Sequence, residues 1–164
     1  VDWLIGGFGK VKSQNYKHAK SSGFSEKIAR EVALKPHLNI GVFCLEATAS
    51  HWDVWKKNLK IALKCGKIFG SEQIAMNVTI YIDKLDVEIL PAYCNYTLID
   101  GMKFDTKRNT FVEAYLPNHK IGIVHLAGKH NNNIRMNKNH LIEVTTLEGK
   151  IIKKSARFNQ IEKK

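Results

Sequence analysis

The sequence predicts an α/β protein: a mixed sheet with flanking helices and a C-terminal β-hairpin. Three observations predict it. Apolar residues recur at helical spacing in two well-capped segments. Short runs rich in β-formers lie between and after them. A final stretch, "HLIEVTTLEGKIIKKS", alternates about a Glu-Gly turn. Strands alternating with helices through the middle imply layered packing with a mixed sheet.

The first 37 residues are rich in Gly, Lys and Ser, with Gly6, Gly7 and Gly9 in a loop-like stretch. Within them "SSGFSEKIAREVALKP" predicts a helix that Ser25 caps. Ile28, Ala29 and Val32 form its inner face and Pro36 ends it. Residues 40–45 read as a buried strand, continuous and apolar. The segment "SHWDVWKKNLKIALKCG" carries the strongest helical signal. Ser50 and Asp53 are set as a capping box, and Trp52, Trp55, Leu59, Ala62 and Leu63 share one face. Lysines fill the other face and Gly66 stops the helix.

A further helix is expected from Ser71, with Ile74, Val78 and Tyr81 inward and Glu72 in its first turn, where the helix dipole favours an anion. Gln73 and Asn77, four apart, share a face. "DVEILPAYCNY" predicts a short strand closed by Leu90-Pro91, and "HKIGIVHLAGK" another. The hairpin turns at Glu148-Gly149 and is expected to pack on the sheet edge. We read residues 1–164 as one domain: a loop and helix region over 1–37, a core over 38–130, and hairpin plus basic tail over 131–164.

Bulk properties limit the function. At 164 residues and 44% hydrophobic the chain can bury a sizeable core. No apolar run approaches the roughly 20 residues that span a bilayer. The chain begins at Val1 with no basic-then-apolar leader, from which we expect a chain that has lost its beginning. The net charge of +11, from 26 Lys+Arg against 15 Asp+Glu, favours anionic partners: nucleic acid, lipid headgroups or phosphorylated molecules. No Arg-rich stripe or aromatic RNA-binding signature accompanies it, so no nucleic acid is expected. Cys44, Cys65 and Cys94 form no CxxC pair. Cys44 and Cys65 are expected as buried thiols in a reducing compartment.

Polar clusters interrupt the apolar segments: Asn39 at the first strand's start, Glu72, Gln73 and Asn77 on the helix, Asn95 after Leu90-Pro91, and His125 to Asn131. Ligands of α/β sheets bind where strands end, and Asn95 and His125 stand at such exits. Each residue also has an ordinary reading: helix start, turn former, buried histidine, solvated lysine.

Their order resembles nucleotide-sugar glycosyltransferases of the GT-A fold, nearest the glycogenin and lipopolysaccharide galactosyltransferase group. The likeness covers residues 38–130. It comprises Asn39-x-Gly41, the helix with Trp52 and Trp55, Glu72-Gln73 with Asn77, Leu90-Pro91 with Asn95, and His125-x-x-Gly128 with Lys129. It implies a partial GT-A-like sheet, the C-terminal portion of a hexosyltransferase. His125 would ligate Mn²⁺ or Mg²⁺ together with an Asp-x-Asp motif that this chain lacks. Gly128 and Lys129 would hold the diphosphate, and Glu72 and Gln73 would face the transferred sugar. Asn39, Asn77 and Asn95 would bind substrate.

The family carries Asp where Glu72 stands, and its lysine lies six residues after the histidine rather than four. A UDP-sugar is the implied donor and a glycan, lipid-linked or protein molecule the acceptor, as in lipopolysaccharide biosynthesis. A cytoplasmic placement with peripheral contact at the inner membrane follows from the same likeness and the basic charge. The chain alone is expected to be inactive. The alternatives are a non-catalytic basic domain binding nucleic acid or anionic glycan, and a metal-dependent phosphotransfer enzyme using His125 with Glu72.

Overall fold

The computed structural model describes residues 2–65, 68–97, 101–126, 131–137 and 139–157. The protein is mixed α/β with a mixed sheet, and it divides into two compact units, Val1–Glu88 and Ile89–Lys164. Helices and strands do not alternate as expected: among the described residues the strands all lie beyond Asn95, after the longer helices, with the short helix Asn132–Met136 between two of them.

The first unit holds α1 (Asp2–Ser21), α2 (Glu26–Leu34), α3 (His51–Cys65) and α4 (Ile68–Tyr81). Ser25 caps α2 as expected: its hydroxyl accepts the Ile28 N–H at 3.3 Å, satisfying one of the donors a helix start leaves open. Gly23 joins α1 to α2 at φ 83, and a Cβ there would meet the Cys65 Sγ at 3.0 Å. The positive φ favours glycine, and a side chain there would also have to displace the Cys65 thiol.

Ala19, Phe24, Ala29, Val32, Ala62, Ile74, Ala75 and Val78 form the core, with Trp55 and Leu59 against it. Helix α4 is buried nearly all round from Ser71 to Thr79, consistent with its largely apolar circumference. It starts at Ile68, so Glu72 lies beyond the first turn and the expected dipole stabilisation does not apply. Leu63, expected inward on α3, is 48% exposed.

Residues 40–45 form no strand. Asn39 starts a turn, its Oδ1 accepting the Gly41 N–H at 2.8 Å, and the segment beyond runs exposed at Phe43 and Cys44. An Asx turn offers the backbone a local partner in place of a ladder. The thiols differ from expectation too: Cys44 and Cys65 are both exposed.

In the second unit β2 (Met102–Asp105), β3 (Thr110–Glu113), β5 (Ile142–Thr146) and β6 (Ile151–Lys154) make a sheet of order β3-β2-β5-β6. β2 and β5 run parallel and the other neighbours antiparallel. The hairpin thus belongs to the sheet, with β5 inside it. Its turn closes through Gly149 at φ 83, whose N–H reaches the Thr146 carbonyl at 3.0 Å. Tyr96, Met102, Phe104, Ile121 and Val144 form the core.

The strand expected over "DVEILPAYCNY" is instead an exposed extended run and a single 3₁₀ turn at Ala92–Cys94. Beyond it lies β1 (Tyr96–Thr97), paired in parallel with β4 (Val124–His125). That two-residue β4 is all that forms of the strand expected in "HKIGIVHLAGK" among its described residues.

Candidate functional site

Four of the expected site residues fall in the helical unit, where α4 faces residues 37–41. Asn77 is fully buried and clasps the Leu38 backbone in both directions. Its Oδ1 accepts the Leu38 N–H and its Nδ2 donates to the Leu38 carbonyl, each at 3.0 Å. The same Nδ2 donates to the Gln73 carbonyl one turn back, at 2.8 Å. A segment without sheet partners thereby finds its hydrogen bonds in a side-chain amide.

One turn earlier on the same face, Gln73 Nε2 contacts His37 Nε2. Asn39 follows Leu38 in the turn already described. Glu72 is half-buried, and its carbonyl accepts the Trp55 indole N–H at 3.1 Å, tying α3 to α4. The fold therefore brings the Asn39-Gly41 stretch, the tryptophan helix and the Glu-Gln-Asn set into one region.

His37 was not singled out from the sequence. Its ring Nδ1 is buried without a hydrogen-bond partner, and burial, reinforced by the nearby His18, holds its pKa below the ordinary histidine value. Asn58 was missed as well. Its Nδ2 donates to Thr79 Oγ1 at 2.9 Å and to Asp83 Oδ2 at 2.7 Å, joining α3 to α4 through a buried amide. Amides within helical patterns were the available signal. Beside Trp52 and Trp55, Phe43 completes an aromatic cluster with ring centroids 5.7–6.2 Å apart.

The remaining candidates lie in the strand unit. His125 ends β4, half-buried and in register with Thr97. Asn95 precedes β1, at the entrance of the strand rather than its exit. Since β1 and β4 run parallel, Asn95 and His125 stand at opposite ends of that ladder. The Asn95 Oδ1 is buried without a partner. Gly128 and Lys129 lie outside the described residues.

Among the described residues no three His, Cys, Asp or Glu side chains gather where they could hold a metal ion. Mn²⁺ and Mg²⁺ favour oxygen-rich shells, and one imidazole does not make such a site. Among the described residues His125 therefore stands as a single donor, which by itself does not make a site for the cation that the sequence likeness implies.

No helix among the described residues is long and apolar enough to cross a membrane. Compared with family models, curated proteins and solved structures, the chain matches none.

Proposed function

We propose that this chain carries the acceptor-side portion of a nucleotide-sugar glycosyltransferase, moving a hexosyl group from a nucleotide diphosphate, UDP-sugar foremost, to a glycan, lipid-linked or protein hydroxyl. One observation carries the reading. His37 and Leu38, next to Asn39, are held on the Gln73 and Asn77 face of α4, so segments 36 and 39 residues apart in sequence meet in one place.

In this reading Asn77 is the clamp that holds the segment, while Glu72 and Gln73 offer carboxylate and amide groups to the hydroxyls of the transferred sugar. Transfer breaks the bond between the anomeric carbon and the diphosphate oxygen; the acceptor oxygen forms the new bond to that carbon, and its proton passes to the departing diphosphate. Asn39, beside the clamped Leu38, would contribute to substrate binding. Mn²⁺ or Mg²⁺ enters the proposal only with an Asp-x-Asp from outside these residues, His125 being the ligand this chain offers.

The test is calorimetric titration of UDP, with and without Mn²⁺, into the whole natural protein and its His125→Ala variant. The expected result is metal-dependent binding that the substitution weakens by roughly tenfold or more. Binding indifferent to both metal and His125 overturns the transferase reading.

A second reading, a non-catalytic basic domain for nucleic acid or anionic glycan, is favoured by the +11 charge and by the division of the candidate residues between two units. It expects binding to a polyanion that falls steeply with salt and needs no metal.

A further inference from the structure

Residues 36–41 belong to no helix or strand, and side chains of α4 hold Pro36, His37 and Leu38. Tyr81 donates its hydroxyl to the Pro36 carbonyl at 2.7 Å. Asn77 clasps Leu38, and between the two Gln73 meets the His37 ring. Just beyond, Phe43 stands edge-on to Trp52 and Trp55 of α3, with ring centroids 6.2 and 5.7 Å away. The segment has no strand partner, so it stays closed only while these side chains keep their contacts.

Of these holders only His37 changes its charge near neutral pH, since burial pushes the Tyr81 phenol upward. A charged imidazole has two N–H donors, and a dry site must supply an acceptor for each. Nδ1 is buried and has no partner among the described residues. Nε2 meets the Gln73 amide, which offers its NH₂ or, turned over, its single oxygen. In either orientation at least one N–H of the charged ring lacks an acceptor, whereas the neutral ring has one N–H that the Gln73 oxygen satisfies. The neighbouring charges do not compensate. His18 of α1 opposes a positive ring, and Lys35 lies two residues upstream. Among the described residues neither Glu31 of α2 nor Glu72 of α4 forms an ion pair with it.

We propose that the segment is an acid-released latch: protonation of His37 frees residues 36–43 from α4 and α3 and uncovers the Gln73 and Asn77 amides. The charged ring is stable only in the open, hydrated form, and its exit takes Leu38 and Phe43 with it. Closure is intact above about pH 6.5 and weakens below it, by up to about tenfold per pH unit for one proton. The inference stands on the helical unit alone and is independent of the transferase reading.

It is tested by following tryptophan emission and far-ultraviolet circular dichroism of the protein between about pH 7.5 and about pH 5. Departure of Phe43 from the two indoles should change the emission while the helical signal holds. Exchange of the Leu38 amide, corrected for its intrinsic pH dependence, should quicken by about tenfold, with amides inside α3 unaffected. His37→Gln should abolish both responses. His18→Gln, which removes the opposing charge, should move the emission change to lower pH. The proposal is overturned if His37→Gln keeps the emission change, if Leu38 exchanges no faster in acid, or if the helical signal falls together with the emission. Should His37→Gln not fold, magnetic-resonance titration of the His37 ring in the parent decides. A ring midpoint that coincides with the emission change supports the latch, and one that does not overturns it.

Discussion

Asn77 in the helical unit and Asn118 in the strand unit both clasp backbone with a side-chain amide, but Asn77 is fully buried and Asn118 only half so. The helical unit places such bonds inside: Asn77 holds Leu38, and Asn58 joins α3 to α4. The strand unit places them at its turns, where Asn118 and the Asp105–Arg108 pair tie loop to loop. A hydrogen bond lost inside leaves its partner group dry, whereas one lost at a turn is replaced by water. The same residue type therefore sets stability in one region and shape in the other.

The sharpest way to break this comparison is Asn77→Ala. It leaves the Leu38 N–H and carbonyl without partners and should cost about 3 kcal/mol in urea unfolding. A loss under about 1 kcal/mol would show that water takes over the amide's role. Asn118→Ala should cost about 1–2 kcal/mol, combining lost bonds with a left-handed backbone that alanine resists. Asn118→Gly should recover the backbone part. If both asparagines cost the same, burial is not what separates the units.

Acidification sharpens the contrast through a smaller, graded effect. His37 is held below its ordinary 6.5, first by burial and then by His18, so the unfolded chain takes up that proton first as pH falls. The stability it supports is intact above about pH 6.5 and declines below it. Asp105 is held below its ordinary 3.8, chiefly by the Arg108 backbone N–H and the Arg108 side chain. Its contribution is intact above that value and is lost only as pH falls through the still lower folded pKa. Hydrogen exchange at about pH 5.5 should therefore show loosening in the helical unit before the strand unit, and His37→Gln should remove the difference. Equal loosening would refute the assignment. The smallest effect is expected for Arg30→Ala, which removes an exposed pair with Glu26 on α2 and should change stability by less than about 0.5 kcal/mol by thermal melting.

Of the fold, α2, α3 and the β5–β6 hairpin are legible in the sequence, because each is specified within its own stretch of chain. Ser25 caps, Pro36 lies just beyond the helix, the α3 face repeats at helical spacing, and Gly149 turns the hairpin. Residues 40–45 misled for the converse reason. An apolar run matches a strand, but a strand also needs a partner ladder; here Asn77 holds Leu38 just ahead of the segment and the Asn39 side chain takes the Gly41 N–H. The start of α4 was placed three residues late because Ser71 imitates a cap while being buried inside the helix.

The candidate site divides the same way. Gln73 and Asn77 were read onto one helix face, and both meet residues 37–38. That His37 would be the residue touching Gln73 was invisible, since no local pattern marks a contact across 36 positions. The opposite placement of Asn95 and His125 was equally hidden, because it depends on the parallel pairing of β1 with β4. Sequence alone therefore determined what short-range sterics, caps and periodicity dictate: α2, α3, the body of α4 with its amide face, the hairpin and the basic charge, whereas α1 formed over the glycine-bearing stretch expected as a loop. Tertiary structure decided which apolar runs became strands and which amides went dry. Those outcomes depend on partners distant in sequence, and only closure of the chain brings such partners within hydrogen-bonding reach.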